Sequence, residues 1–182
     1  MSATTTRLMT FAEFEKLPDE ACRRHELRHG ELVEVPPPVH PHIWLQQRLV
    51  RLLDRRAENK GVVGMEVSFR PFAEYEFYRV DVAYVSYERW NAANRTGNLR
   101  GSPELIVEIL SPSNTLAEMN DRKKIFFESG CLEFWLVDLI NRQIDVSTPD
   151  GVTTTYRAGQ TIPLPLFGGA ALPVDDIFNG LE

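Results

Sequence analysis

Two acidic residues lie inside otherwise apolar segments and are the first candidates for chemistry. Asp81 is flanked by two valines, and Glu108 by a valine and an isoleucine. Strand interiors disfavour acids, and two buried carboxylates repel each other unless a cation offsets them. A Mg²⁺ ion bound by Asp81 and Glu108 would remove both costs and could activate water toward a phosphodiester. The alternative is that both acids lie at strand ends, where they reach solvent or pair with Arg79 or an arginine of the first long helix.

A basic run follows Glu108 and could stabilise the charge of a phosphoryl transition state. It consists of Arg122, Lys123 and Lys124. A helical wheel places Lys123 near the centre of the buried face, with Arg122 and Lys124 on either side. The apolar stripe used for this wheel is Leu116, Met119, Phe126 and Phe127. We therefore expect Lys123 to face the two acids; the alternative is that its side chain extends past the edge of the core to solvent.

Local signals predict the elements that must position these residues. A capping box at Thr10 begins a helix that ends at Pro18, and a second box at Thr115 begins a helix that ends at Ser129. A leucine stripe predicts a longer helix from His40 or His42 to about Asn59. The predicted strands are 62–69, 78–85, 104–110, 133–138, 143–147 and 152–156, with a hairpin at 25–35. The polar stretch 88–102 is predicted to be a surface loop, and the tail after 163 to be mostly irregular with a last turn of helix at 174–178.

The order of these elements indicates one α+β or α/β domain over residues 1–182. Strands and helices alternate without a repeat or linker, so we expect a central mixed sheet flanked by helices.

Composition narrows the expected partners and location. The net charge is −6, from 20 basic and 26 acidic residues, which weighs against a free-standing nucleic-acid binder unless a local basic face exists. The long helix has such a face, at Arg48, Arg51, Arg55 and Arg56. No apolar run is long enough for a membrane helix, no secretory signal is visible, and the two cysteines lack metal-ligating spacing. We expect a cytoplasmic protein without a membrane partner.

Several motifs together give the sequence a clear resemblance to a known family. The chain resembles the Uma2 family, which is similar to the PD-(D/E)xK restriction-endonuclease superfamily. The residues that carry the resemblance are 25–33, His40, 79–82, 103–114 and 130–138. The resemblance implies a restriction-endonuclease-like mixed sheet and a metal-dependent nuclease site.

The resemblance also implies roles for individual residues. Asp81 matches the motif's aspartate and Glu108 its second acid, so both are expected to hold Mg²⁺, with Mn²⁺ as a substitute. The usual lysine two positions after the second acid is replaced by Leu110. The family instead takes its lysine from the following helix, at the position of Arg122, whereas the wheel favours Lys123. Which of the three basic residues faces the metal stays open at this point.

Further expectations concern auxiliary residues and partners. Glu26 or Glu31 is expected to supply an auxiliary acid, and His40 to orient a phosphate or a water molecule. The expected partner is nucleic acid, taken to be DNA, although the sequence itself does not distinguish DNA from RNA. The aromatic segments Phe72–Tyr78 and Phe126–Phe127 are compatible with a homodimer. Two other functions stay open: a binding module of the same fold whose catalytic site has decayed, and a purely structural oligomer component.

Overall fold

The computed structural model describes residues 7–93, 97–112 and 114–181. The helices are α1 (Phe11–Phe14), α2 (Asp19–Arg24), α3 (His40–Ala57), α4 (Tyr87–Ala92), α5 (Leu116–Glu128) and α6 (Val174–Phe178). The strands are β1 (His25–Arg28), β2 (Glu31–Glu34), β3 (Gly61–Arg70), β4 (Tyr78–Ser86), β5 (Leu99–Arg100), β6 (Leu105–Ile109), β7 (Glu133–Asp138), β8 (Gln143–Ser147), β9 (Thr153–Tyr156), β10 (Thr161–Leu164) and β11 (Ala170–Pro173). None of the described helices is long and apolar enough to cross a bilayer.

A mixed seven-stranded sheet forms the centre of the described structure. Its strand order is β5-β3-β4-β6-β7-β8-β9. The β6–β7 pair is parallel, because α5 crosses over between these two strands, while β4 runs antiparallel to β6. This arrangement confirms the predicted fold class, a mixed sheet flanked by helices.

Each face of the sheet carries its own apolar core. Leu105, Val107 and Ile109 of β6 pack with the buried leucines of α3, whereas Ile106 packs with Ile125 and Phe126 of α5 on the other side. The alternation follows from the two-residue period of a strand. β6 is therefore covered on both faces, as its nearly continuous apolar sequence predicts.

The hairpin formed by β1 and β2 stands apart from the main sheet. Its turn residues His29 and Gly30 both have positive φ angles, 50° and 76°. Glycine is required at position 30 because an added Cβ would lie 2.7 Å from that of Leu8. A backbone bridge between Leu27 and Phe77 ties the hairpin to the start of β4. The predicted hairpin is thus confirmed, and its β1 strand lies beside the strand that carries Asp81.

Two predictions of irregular structure are wrong. Within the predicted loop 88–102 the structure has α4, which Ser86 caps, and the short strand β5; residues 94–96 lie outside the described part. The tail after 163 forms the β10–β11 hairpin instead of irregular structure, and its apolar residues complete the α3 core. Three prolines and two glycines weaken the strand signal of this hairpin in the sequence. Burial of its apolar side chains, rather than local strand propensity, stabilises the pairing. The turn of helix predicted at 174–178 is confirmed as α6.

The basic face of α3 is also only partly free. Arg48 donates to the carbonyl of Asp176, and Arg56 donates to the carbonyl of Ala171. These two arginines therefore fasten the C-terminal elements to α3, while Arg51 and Arg55 stay exposed.

Candidate active site

Asp81 and Glu108 lie on neighbouring strands where the pairing of those strands ends. Val82 of β4 is opposite Val107 of β6, so Asp81 and Glu108 occupy the next position of the ladder. There the Asp81 carboxylate replaces the backbone as acceptor: its Oδ2 accepts the N–H of Ile109 at 2.7 Å. Backbone pairing between β4 and β6 thus ends at the two acids, and both side chains line one cavity.

Two residues of α3 hold the other oxygen of Asp81. Oδ1 accepts hydrogen bonds from Nε2 of His42 at 2.7 Å and from Nε2 of Gln46 at 2.9 Å. Gln46 also donates to Oε1 of Glu66 at 2.5 Å, and Glu66 has a φ of 53° within β3. The histidine at the site is therefore His42, whereas His40 is exposed at the first residue of α3 and does not line the cavity.

Arg122 lies between two buried acids. It donates to Oε1 of Glu108 through Nε at 3.1 Å and Nη2 at 2.5 Å, and to Oε2 of Glu26 through Nη1 at 2.7 Å. A further bond from Nη2 reaches the carbonyl of Arg79 at 3.2 Å. Arg122 is only 4% exposed, so these contacts are shielded from solvent. Glu26, Glu108 and Arg122, which the sequence placed in three different elements, form one buried network.

The hairpin supplies the rest of that network. Glu26, 1% exposed, accepts the N–H of Arg79 at 2.8 Å and Nε of Arg28 at 2.7 Å. Arg28 also pairs with Glu118 of α5. Glu31, the other candidate auxiliary acid, is exposed on β2 and outside the cavity.

The wheel-based expectation for Lys123 is wrong. Lys123 is half-buried and outside the cavity lining, Lys124 is exposed, and Arg122 occupies the buried face. The wheel counts Leu116 as a buried residue, but Leu116 is 77% exposed in the structure. Without Leu116, the centre of the buried face lies nearer to Arg122. The buried residues of α5 are Met119, Arg122, Ile125 and Phe126.

Burial and charge give the acids of the network different pKa values. Burial raises the pKa of Glu108 to about 8; Arg122 acts in the opposite direction and Asp81 adds to the rise. Burial also acts to raise the pKa of Glu26, but Arg122 and Arg28 outweigh it and hold that pKa below its usual value. The pKa of Arg122 is raised, because its two acidic partners outweigh its burial. Arg122 and Glu26 thus stay charged, and Glu108 is the acid that most needs additional positive charge.

The pKa of His42 is raised as well. Burial acts to lower it, but the hydrogen bond and charge of Asp81, with smaller contributions from Glu66 and Glu108, outweigh burial. Negative charge is therefore concentrated at this end of the cavity.

The cavity has a volume of about 570 Å³. Its lining carries six carboxylates and three arginines. The acids are Glu26, Glu34, Glu66, Asp81, Glu108 and Glu118, and the arginines are Arg28, Arg79 and Arg122. The opposite wall is apolar and contains the consecutive prolines 36–38.

The oxygen atoms that line the cavity decide whether a magnesium ion could bind there. Among the described residues, Oε2 of Glu108 accepts no hydrogen bond, and the buried Oε1 of Gln46 has no partner. Mg²⁺ prefers carboxylate oxygens and is usually held by one or two protein carboxylates, with water and substrate phosphate completing its shell. No group of three or more His, Cys, Asp or Glu side chains within the described ranges could hold a metal by itself. Asp81, whose Oδ2 accepts a single hydrogen bond from the described part of the chain, and Glu108 are therefore the carboxylates that could hold such an ion, with several positions left to water and substrate.

Comparison with known proteins places the sequence in a family. Residues 11–175 match the family model for Uma2, described as "Putative restriction endonuclease". The chain belongs to the Uma2 family. A similar solved structure is "a putative nuclease belonging to DUF820" from Anabaena variabilis ATCC 29413, with a TM-score of 0.79 and 21% sequence identity; the alignment covers 93% of this chain and 97% of that one. No curated protein shows significant similarity to the sequence.

Membership in Uma2 confirms the resemblance seen in the sequence, and the solved structure confirms the fold. The position of the helix lysine in that resemblance is the position of Arg122, and here the structure agrees with the family register rather than with the wheel.

Proposed function

We propose that this protein is a Mg²⁺-dependent endonuclease that hydrolyses phosphodiester bonds of nucleic acid, with DNA as its expected substrate. The observation that carries the proposal is the meeting of Asp81 and Glu108 at the open end of the β4–β6 ladder, beside a buried guanidinium. Membership in a family described as "Putative restriction endonuclease" supports the same reaction class.

Each residue of the site would have its own role in this reaction. Asp81 and Glu108 would hold the cation, which when bound would supply positive charge at the scissile phosphate and lower the pKa of an attacking water. His42 and Gln46 fix the orientation of Asp81, and Arg122 fixes Glu108. Arg122 supplies a permanent positive charge but is a poor proton donor, because its pKa lies far above neutral pH. Its role is therefore to hold Glu108 and balance the charge of that acid, rather than to transfer a proton.

The test compares cleavage by matched glutamate variants. Glu108→Gln keeps an amide oxygen for Arg122 and removes the carboxylate that faces the cavity, whereas Glu31→Gln removes an exposed glutamate of the hairpin. Plasmid and end-labelled oligonucleotides are incubated with Mg²⁺ or Mn²⁺ and each purified protein. We expect wild type and Glu31→Gln to cleave alike, and Glu108→Gln to lose roughly 100-fold or more of the activity. Cleavage that persists in Glu108→Gln would contradict the proposed site.

A second function is favoured by one observation. Arg122 already pairs with both Glu108 and Glu26, and a site that no longer binds a cation would need such a pairing. In that case the protein binds nucleic acid or a protein partner without cleaving it. Tight oligonucleotide binding that is independent of Mg²⁺ and unaffected by Glu108→Gln would favour this alternative.

A further inference from the structure

One side of the active-site cavity is apolar and unused by the proposed chemistry. This apolar wall consists of Val35–Val39 and leads from the end of β2 into the first turn of α3. Glu34, just before it, also lines the cavity but pairs with Arg24. Its last residue, Val39, is 68% exposed although it is a β-branched hydrophobe. The same segment places His42, one turn later, against Asp81. The apolar wall and the two acids therefore face one space.

The chemistry of the apolar wall excludes several ligands. Its side chains offer no hydrogen-bond donor or acceptor, and its three prolines have no backbone N–H. It cannot neutralise phosphates and it cannot read the edges of paired bases, which requires polar groups in a groove. What it can accept is the flat face of a ring, and in nucleic acid such a face is free only when the base is unpaired.

The charges that line the cavity also favour an unpaired strand over a duplex as the ligand. Proteins that bind duplexes neutralise a series of phosphates with free Lys and Arg side chains. The three arginines that line this cavity are already engaged: Arg28 and Arg122 pair with carboxylates, and Arg79 donates to Ser68 and to the carbonyl of Arg23. With six carboxylates in the lining, the cavity complements one phosphate accompanied by a divalent cation rather than a run of phosphates.

We infer that the apolar wall is a subsite for the unpaired nucleobase beside the scissile phosphate, so that the substrate is single-stranded nucleic acid or a single-stranded part of a duplex. This inference rests on the proposed function and names its substrate class. The volume of about 570 Å³ lies in the range of roughly 300–1,000 Å³ that is typical of pockets for small ligands, which suits one nucleotide.

The matched variants are Val39→Ser and Val152→Ser. Val39 is the N-cap of α3 and makes no capping hydrogen bond, so serine there removes apolar surface and should strengthen the start of the helix. Val152 is 54% exposed in the turn between β8 and β9 and does not line the cavity. Loss of binding in Val39→Ser therefore cannot be attributed to a weaker fold, and thermal melting checks this directly.

The measurement is fluorescence anisotropy with labelled probes of about ten nucleotides, with Ca²⁺ in place of Mg²⁺ so that an oxygen-binding cation is present while the proposed cleavage does not consume the probes. The probes are a thymidine single strand, the same strand with abasic spacers, and a duplex of equal length. We expect the single strand to bind at least about tenfold more tightly than either other probe, and Val39→Ser to weaken single-strand binding roughly fivefold while Val152→Ser leaves it unchanged.

Equal affinity for single strand and duplex, or identical behaviour of the two valine variants, would overturn the subsite, as would a lack of binding to any probe. Single-strand binding that follows the expected pattern, together with no cleavage in the assay described above, would retain the subsite and refute the hydrolytic function.

Discussion

A single guanidinium accounts for much of the chemistry of this site. Arg122 bonds Glu108 of the main sheet and Glu26 of the hairpin, and all three side chains are nearly inaccessible to water. An arginine suits this position better than a lysine for structural purposes, because its planar fork can address two carboxylates at once. The cost is the loss of a group that could donate a proton at neutral pH.

Removal of Arg122 should be strongly destabilising. Arg122→Met leaves Glu26 and Glu108 buried without their shared cation, and breaking a buried pair in this way costs about 3–5 kcal/mol. The free energy of unfolding in urea measures the effect. Lys124→Met is the matched control on the same helix, since Lys124 is 73% exposed, and we expect it to cost less than about 1 kcal/mol. Equal costs for the two variants would show that the Arg122 network contributes nothing to stability.

A second prediction concerns the pH dependence of stability at the hairpin turn. A hydrogen bond to Asp121 raises the pKa of His29 above 6.5; burial opposes the rise and the charge of Glu76 adds to it. Because the folded pKa is the higher one, the stabilisation is complete below pH 6.5 and is lost as the pH rises through the folded pKa. His29→Asn tolerates the positive φ angle and has no titrating group.

Urea unfolding of wild type and His29→Asn across this pH window tests the prediction. The stability difference between the two proteins should shrink as the pH rises. Burial raises the pKa of Glu76 and His29 lowers it, so both proteins are compared in a Glu76→Gln background that removes this second titrating group. A difference that stays constant from acid to alkaline pH would contradict the role given to His29.

Local sequence patterns predict some of these residues and miss others. Asp81 and Glu108 could be found because an acid inside an apolar strand is unusual. His42 and Gln46 were missed, although they lie four residues apart beside the leucine stripe of α3 and a polar pair at that spacing was a usable signal. The predicted buried face of α5 is wrong because Leu116, although apolar, is exposed in the structure.

At the scale of elements, the start of α5 decides where Arg122 lies. Thr115 accepts the N–H of Glu118, as the predicted capping box requires. A full capping box would also have the side chain of Glu118 accept the backbone N–H of Thr115. Here the Glu118 side chain pairs with Arg28 of the hairpin instead. The same motif at Thr10 is complete. At the start of α5, a long-range ion pair thus takes the place of the local capping bond.

This arrangement predicts a modest effect of changing the cap. Thr115→Ala should cost about 1 kcal/mol and lower cleavage, since fraying of the first turn loosens the link between α5 and the hairpin. Thr115→Ser keeps the hydroxyl and should restore both properties. Urea unfolding and the plasmid assay are the measurements, and an alanine variant with unchanged stability would show that the cap is dispensable.

At the scale of the whole molecule, the site exists only because distant segments converge. Glu26 and Arg122 are 96 residues apart in sequence, and His42 and Asp81 are 39 apart. Strand and helix periodicity predicted most of the central elements, because each of these elements buries one continuous stripe or face. The pairing of the hairpin with α5, and of the C-terminal elements with α3, depends on contacts between segments that no local pattern contains. The central sheet was therefore predictable, whereas the contacts across the cavity were not.

The central claim is that Asp81 and Glu108 together bind a divalent cation, and titration of Mn²⁺ into the purified protein tests it most directly. Calorimetry is performed on wild type, Glu108→Gln and the exposed control Glu31→Gln at one pH and salt concentration. The account predicts saturable binding in wild type and Glu31→Gln and at least about a tenfold loss of affinity in Glu108→Gln. Equal affinities for all three proteins, or no binding to any of them, would contradict it.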